Sequence, residues 1–180
     1  MTQRGRDGAD RDTAGRDRDT AGRPRNARAR DALGRPLPRG KAGETPVPDD
    51  LSLPPAQALA LAQQLLDSGR PFQAHEVLEA SWKAAPAAER DLWQGLAQVA
   101  VGLTHAQRGN ARGAATLLRR GAGRVSGYLA GSGDAGGGPH DIDVRGVSDA
   151  AGELAARIER DGLDPVTDGE LRLRLRAADG

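Results

Sequence analysis

Four side chains on one predicted helix carry most of the chemistry this sequence offers. His75 and Glu79 lie four residues apart and Trp82 three further on, a spacing that stacks all three on one helical face, with Glu76 beside them. On the next predicted helix Gln94, Gln98, Val101 and His105 repeat at spacings of four, three and four, again a single stripe. If the two helices reverse near Pro86–Ala88, antiparallel pairing brings Glu79 near Gln94 and His75 near Gln98, with His105 further along. The expected result is a polar seam in an otherwise aliphatic bundle.

Such a seam supports more than one chemistry. A carboxylate four residues from an imidazole satisfies it by hydrogen bonding, and glutamine bridges helices because it donates and accepts at once. That purely structural role is one reading, and a pocket for a small ligand or a partner peptide is the other. Metal chemistry has His75, Glu79 and His105 as its candidates. The chain has only three histidines, however, and the repeated Glu-x-x-His of di-iron bundles is missing, so neither metal nor cofactor is expected. His75 poised by Glu79 has the make-up of a general base. No nucleophile accompanies it: cysteine is absent, and lysine occurs only at 41 and 83, which argues against Schiff-base chemistry.

Arginines 108, 112, 119 and 120 gather around Gly109-Asn110. Arg108, Asn110 and Arg112 are candidate anion contacts at an exposed helix start, although pairing with Glu89, Asp91 or the preceding chain explains the cluster more simply. The run Gly131–Gly138 lacks the Lys-Ser/Thr ending of a phosphate loop and follows a helix.

The elements that must position these groups are legible from punctuation. Ser52, Pro54 and Pro55 open a first helix bearing Leu59, Leu61, Leu65 and Leu66, which Gly69 closes. Pro71 opens a second and Pro86 stops it. A third runs from about Ala87 to Arg108, and Asn110 caps a fourth through about Tyr128. Ser148 is expected to cap a short fifth helix ended by Gly162. The alternating Leu171–Leu175 stretch has no partner strand, so residues 166–180 read as coil. Phe72, Trp82 and Trp93, three of the four aromatics, surround one helical hairpin and are the expected packing anchors.

The fold class is therefore all-α, an irregular multihelical array of about five helices over residues 51–165, with a glycine-rich loop at 131–140. Ahead of it the composition changes. Residues 1–30 contain two near-identical heptads, Arg11–Asp17 and Arg18–Pro24, with almost nothing apolar, and are expected to be disordered. Prolines 36, 38, 46 and 48 favour an extended strap over 31–50, with Leu33, Leu37 and Val47 available to dock. Residues 1–50 hold 12 basic against 9 acidic side chains and the remainder 14 against 16. With aspartate interleaved among arginines the tail reads as a linker more than a nucleic-acid arm. No signal peptide or membrane span is visible, and a cysteine-free chain suits a reducing compartment, so a cytoplasmic location is expected.

The run Phe72-x-Ala74-His75-Glu76-x-x-Glu79-x-x-Trp82, with Leu92–Ala100 and His105–Asn110, resembles the signatures of a family of small bacterial and archaeal helical proteins, the domain of unknown function 309. Residues 55–130 carry the likeness, and Arg25–Gly40 is similar to a strap preceding the domain in some members. The resemblance implies a multihelical array and no agreed activity. The leading expectation is a non-enzymatic module binding a small ligand or partner peptide near His75, Glu79, Gln98 and His105. The alternatives are a metal- or base-dependent enzyme on His75, Glu79 and His105, or a nucleic-acid accessory using the arginines. The oligomeric state is not legible.

Overall fold

A computed structural model of the chain describes residues 29–38, 40–48, 51–132 and 138–177. The expected disorder before residue 29 and the middle of the glycine-rich loop lie outside these. Among the described residues there are five α-helices: α1 Pro55–Asp67, α2 Pro71–Ala84, α3 Arg90–Gln107, α4 Ala111–Ser132 and α5 Val144–Asp161. Each helix packs mainly against its neighbours in sequence, α3 on α4 most extensively. Short connections enforce this order.

The turns follow from the sequence. Gly69 (φ 69°) and Gly109 (φ 77°) take the left-handed conformation that ends α1 and α3. The amides of Arg70 and Asn110 then return to the carbonyls of Leu65 and His105, at 2.8 and 2.9 Å. Pro71 occupies the first position of α2, where a missing N–H costs nothing. Asn110 caps α4, its Oδ1 accepting from the Gly113 amide at 2.9 Å.

Three expectations need correction. First, α5 begins four residues before Ser148. Its cap is Asp143, which accepts from the Gly146 amide at 2.8 Å, while the Ser148 hydroxyl donates to the Ala122 carbonyl on α4. Secondly, α3 starts at Arg90, because residues 87–89 form a turn. Thirdly, the C-terminal segment, coil apart from one antiparallel bridge between Arg176 and Ile142, belongs to the core. Leu171, Leu173 and Leu175 are buried while Arg172 and Arg174 point outward. The missing partner strand is replaced in two ways. The Gln63 side chain on α1 accepts from the Leu175 amide at 2.6 Å and donates to the Leu173 carbonyl at 3.4 Å. On the other side the Asp143 amide donates to the Leu175 carbonyl at 3.0 Å. One amide side chain thus stands in for a neighbouring strand, and the segment ties the start of α5 back to α1.

The core is aliphatic, as its composition dictates, with Trp93 its one fully buried aromatic (1% exposed). Phe72 and Trp82, expected as equal anchors, are only half-buried. No described helix is long and apolar enough to cross a membrane.

The strap before α1 is not extended throughout. Residues 29–37 double back, with Leu37 N donating to Ala29 O at 2.8 Å and Asp31 N to Arg35 O at 3.0 Å. Asp31 is the hub. Its carboxylate accepts from the amides of Leu33 and Arg35 and from Arg35 Nε, which lowers its pKa against the effect of burial.

Candidate functional site

Gln107 at the end of α3 donates from Nε2 to the Gly69 carbonyl just before α2, at 3.0 Å. This bond ties the end of α3 to the start of α2, as antiparallel packing of the two helices requires. The two helices pack against each other, as the expected pairing of His75 with Gln98 and Glu79 with Gln94 requires, and the reversal between them uses residues 85–89.

Within the seam the charged groups pair locally. Glu79 lies between His75 and Lys83 on its own helix, with His75 Nε2 at 3.5 Å and Lys83 Nζ at 2.9 Å. The His75–Glu79 separation is longer than a normal hydrogen bond. Burial lowers the His75 pKa, Glu79 opposes that shift and Lys83 adds to it. The imidazole is therefore neutral at neutral pH. Its Nδ1 is buried without a partner, as are Trp82 Nε1 and Gln98 Oε1. Glu76 and Gln94 are half-buried beside them.

A titration prediction follows from His75. A depressed folded pKa means that the unfolded chain takes up protons first, so its contribution to stability is complete above the unfolded value of about 6.5 and is lost as pH falls through the folded one. The melting temperature of the wild type should drop more between pH 7 and pH 5 than that of His75→Gln. Identical pH profiles would show that the imidazole is solvated.

His105 is placed elsewhere. Its Nδ1 meets Asn110 Nδ2 at 2.7 Å. Because Asn110 Oδ1 is committed to the cap, the amide group must donate and the ring nitrogen accept. His105 thus buttresses the α3–α4 turn. Among the described residues no three His, Asp or Glu side chains converge where they could hold an ion. His75, Glu79 and His105 accordingly do not form a ligand set.

The candidate anion contacts are largely occupied. Arg108 donates through Nε to the Leu33 carbonyl of the strap at 2.8 Å, and its guanidinium lies 5.8 Å from the Phe72 ring centre. Asn110 is used twice, as described. Arg112 and Arg120 are exposed, Arg119 pairs with Glu159, and Asp91 is taken by Arg124 at 2.9 Å. Two of the four arginines, Arg108 and Arg119, thus serve as tethers.

Two arrangements escaped the sequence. One is a clasp at the start of α3, where Glu89 Oε2 accepts from Trp93 Nε1 at 3.1 Å and from His140 Nε2 at 3.0 Å. The rings of Trp93 and His140 stand 6.1 Å apart. His140 and Asp141 both adopt positive φ (60° and 65°), a conformation that costs energy for non-glycine residues and that the clasp helps to hold. The Glu89–Trp93 spacing of four was visible in the sequence, but nothing local pointed to His140. The other is the docking of the strap. Arg30 lies over Phe72 at 5.6 Å, Glu44 pairs with Arg70, and Gly34 sits against the Phe72 ring. The expected apolar anchors Leu33 and Leu37 are half-buried, and Val47 packs against the core with Leu51 and Leu53.

No match to the chain was found among curated proteins or among solved structures. Residues 59–117, from the first turns of α1 into α4, match the family described as a domain of unknown function, number 309. That stretch includes the whole α2–α3 seam and leaves out α5 and the C-terminal segment, so the likeness to this family rests on the helices that carry the candidate site.

Proposed function

We propose that the chain is a binding module whose α2–α3 seam takes a small amide-bearing ligand or a segment of a partner peptide. The observation that supports this reading is a set of orphaned atoms on the two facing helices: His75 Nδ1, Trp82 Nε1 and Gln98 Oε1 along their length, with Gln73 Oε1 and Gln107 Oε1 nearer the Gly69 end. A buried polar atom without a partner costs roughly 1–3 kcal/mol, and three in one seam give an incoming group a corresponding gain. Their types also define what fits. An indole N–H only donates, a glutamine oxygen only accepts, and a neutral imidazole nitrogen does either according to tautomer. His75 and Trp82 stand about 10 Å apart along α2, so a stretch of peptide backbone, alternating N–H and C=O over several residues, matches these types. This role requires no metal or cofactor, and a cytoplasmic setting suits the cysteine-free chain.

The test uses the full chain and a panel of acetylated, amidated tripeptides at millimolar concentration, read by thermal melting and tryptophan fluorescence. At least one peptide should raise the melting temperature of the wild type and fail to do so for Gln98→Leu. With no ligand present, Gln98→Leu should melt at or above the wild type, because it removes an unsatisfied oxygen. No shift with any peptide, or equal shifts in both proteins, would overturn the reading.

A further inference from the structure

Beyond the Glu44–Arg70 pair and the packing of Val47, the strap is held at the Phe72 end by few features, and these belong to a short pattern. Arg30 supplies the guanidinium over Phe72. Asp31 organises the turn through its carboxylate. The backbone carbonyl of residue 33 accepts from Arg108, so that contact does not depend on the side chain there. Gly34 is buried at φ 72°, and a Cβ added to it would overlap the ring carbons of Phe72. Glycine is thus demanded twice, by conformation and by space. Arg35 closes the turn onto Asp31 at 2.7 Å. The docked element reads Arg-Asp-x-x-Gly-Arg.

That pattern occurs twice more in this chain, as Arg11-Asp12-Thr13-Ala14-Gly15-Arg16 and as Arg18-Asp19-Thr20-Ala21-Gly22-Arg23. The second copy extends the likeness by Pro24, which matches Pro36. Residues 32 and 33 vary among the three copies, and at 33 the structure uses the main chain. Every position that makes a side-chain or steric contact is kept.

We infer that the surface formed by Phe72 and Arg108 at the α2–α3 end is a reader of the Arg-Asp-x-x-Gly-Arg turn, and that residues 11–16 and 18–23 are spare occupants exchanging with residues 30–35. Reach is no obstacle: about twenty residues separate Arg23 from Glu44, at about 3.3 Å each. Three tethered occupants for one site keep it filled, since a linked segment competes at roughly millimolar effective concentration. A peptide from outside therefore meets a site that is already closed, and its apparent affinity reports how many internal copies remain competent. This inference concerns the Phe72 end and does not depend on the orphaned atoms of the seam.

The probe is a fluorescent synthetic peptide of residues 11–24, and the readout is anisotropy with the full-length chain. Gly34→Val should bind it roughly tenfold more tightly than the wild type, by removing the nearest competitor. The triple variant Gly15→Val/Gly22→Val/Gly34→Val should bind it more tightly still. Adding Arg108→Ala to the triple variant should abolish binding, and a peptide with valine at both glycines should not bind at all. Circular dichroism of each variant checks that the helices persist. If Gly34→Val disturbs them, Asp31→Ala unmakes the same turn without adding bulk at the ring. Equal affinity across the series, or no binding by the triple variant, would overturn the inference whatever the tripeptide panel shows at the seam.

Discussion

Replacing Trp93 by alanine should lower the unfolding free energy by about 3–5 kcal/mol, the range for truncating a large buried aromatic. Trp93 is 1% exposed, with Leu92 and Leu96 on the same helix also fully buried. Its removal opens a cavity that the two adjoining helices cannot collapse into without losing their own contacts. A second loss comes with the first. The indole N–H is one of two donors to Glu89 Oε2, so alanine leaves that carboxylate with His140 alone. Trp93→Phe retains most of the ring and should cost less than half as much. Urea denaturation of the full chain measures both, and a loss below about 1 kcal/mol for Trp93→Ala would show that the ring is not a core element. Trp82→Ala should be milder, since that side chain is only half-buried.

The second large effect is expected where α3 and α4 meet. A Cβ at Gly121 would lie 2.8 Å from the Gly95 carbonyl oxygen and 2.9 Å from the Val99 amide nitrogen. Both are backbone atoms in a facing helix, and neither can turn away as a side chain does. A Cβ at Gly95 would in turn stand 3.1 Å from the Gly121 carbonyl. The two helices therefore touch main chain to main chain, and Gly121→Ala must push them apart. Alanine favours helix by up to about 1 kcal/mol, yet the overpacking should leave a net loss of about 1–3 kcal/mol. Gly123 and Gly127 on the same helix provide the control. Nothing lies within 4 Å of a Cβ at either, so alanine there should stabilise by about 0.4–1 kcal/mol. Thermal melts of the three variants should move in opposite directions, and a stabilised Gly121→Ala would mean that the helices stand further apart.

Much of this architecture was legible because proline and glycine punctuate it. Pro71, Gly69, Gly109 and Asn110 mark their boundaries through local backbone chemistry, and local chemistry is what a sequence displays. Distant partners are not. Leu173 and Leu175 meet Gln63 through their main chain, and no pattern in either segment names the other. His140 looked like a loop residue because Glu89, its acceptor, lies in another part of the chain. That α2 and α3 pack together was foreseen, because a short reversal leaves consecutive helices as antiparallel neighbours. Ser148 has the right type for a cap, but Asp143 stands where the chain enters α5, and position decided between them.

The Gln63 contact also orders events during synthesis. Residues 171–175 are synthesised after the five described helices, and until they emerge the Gln63 side-chain oxygen on α1 lacks the Leu175 amide it accepts from. A nascent chain paused before that point would hold all its helices and still be vulnerable to chaperones and proteases. Final closure amounts to one side chain recognising a length of main chain more than a hundred residues away.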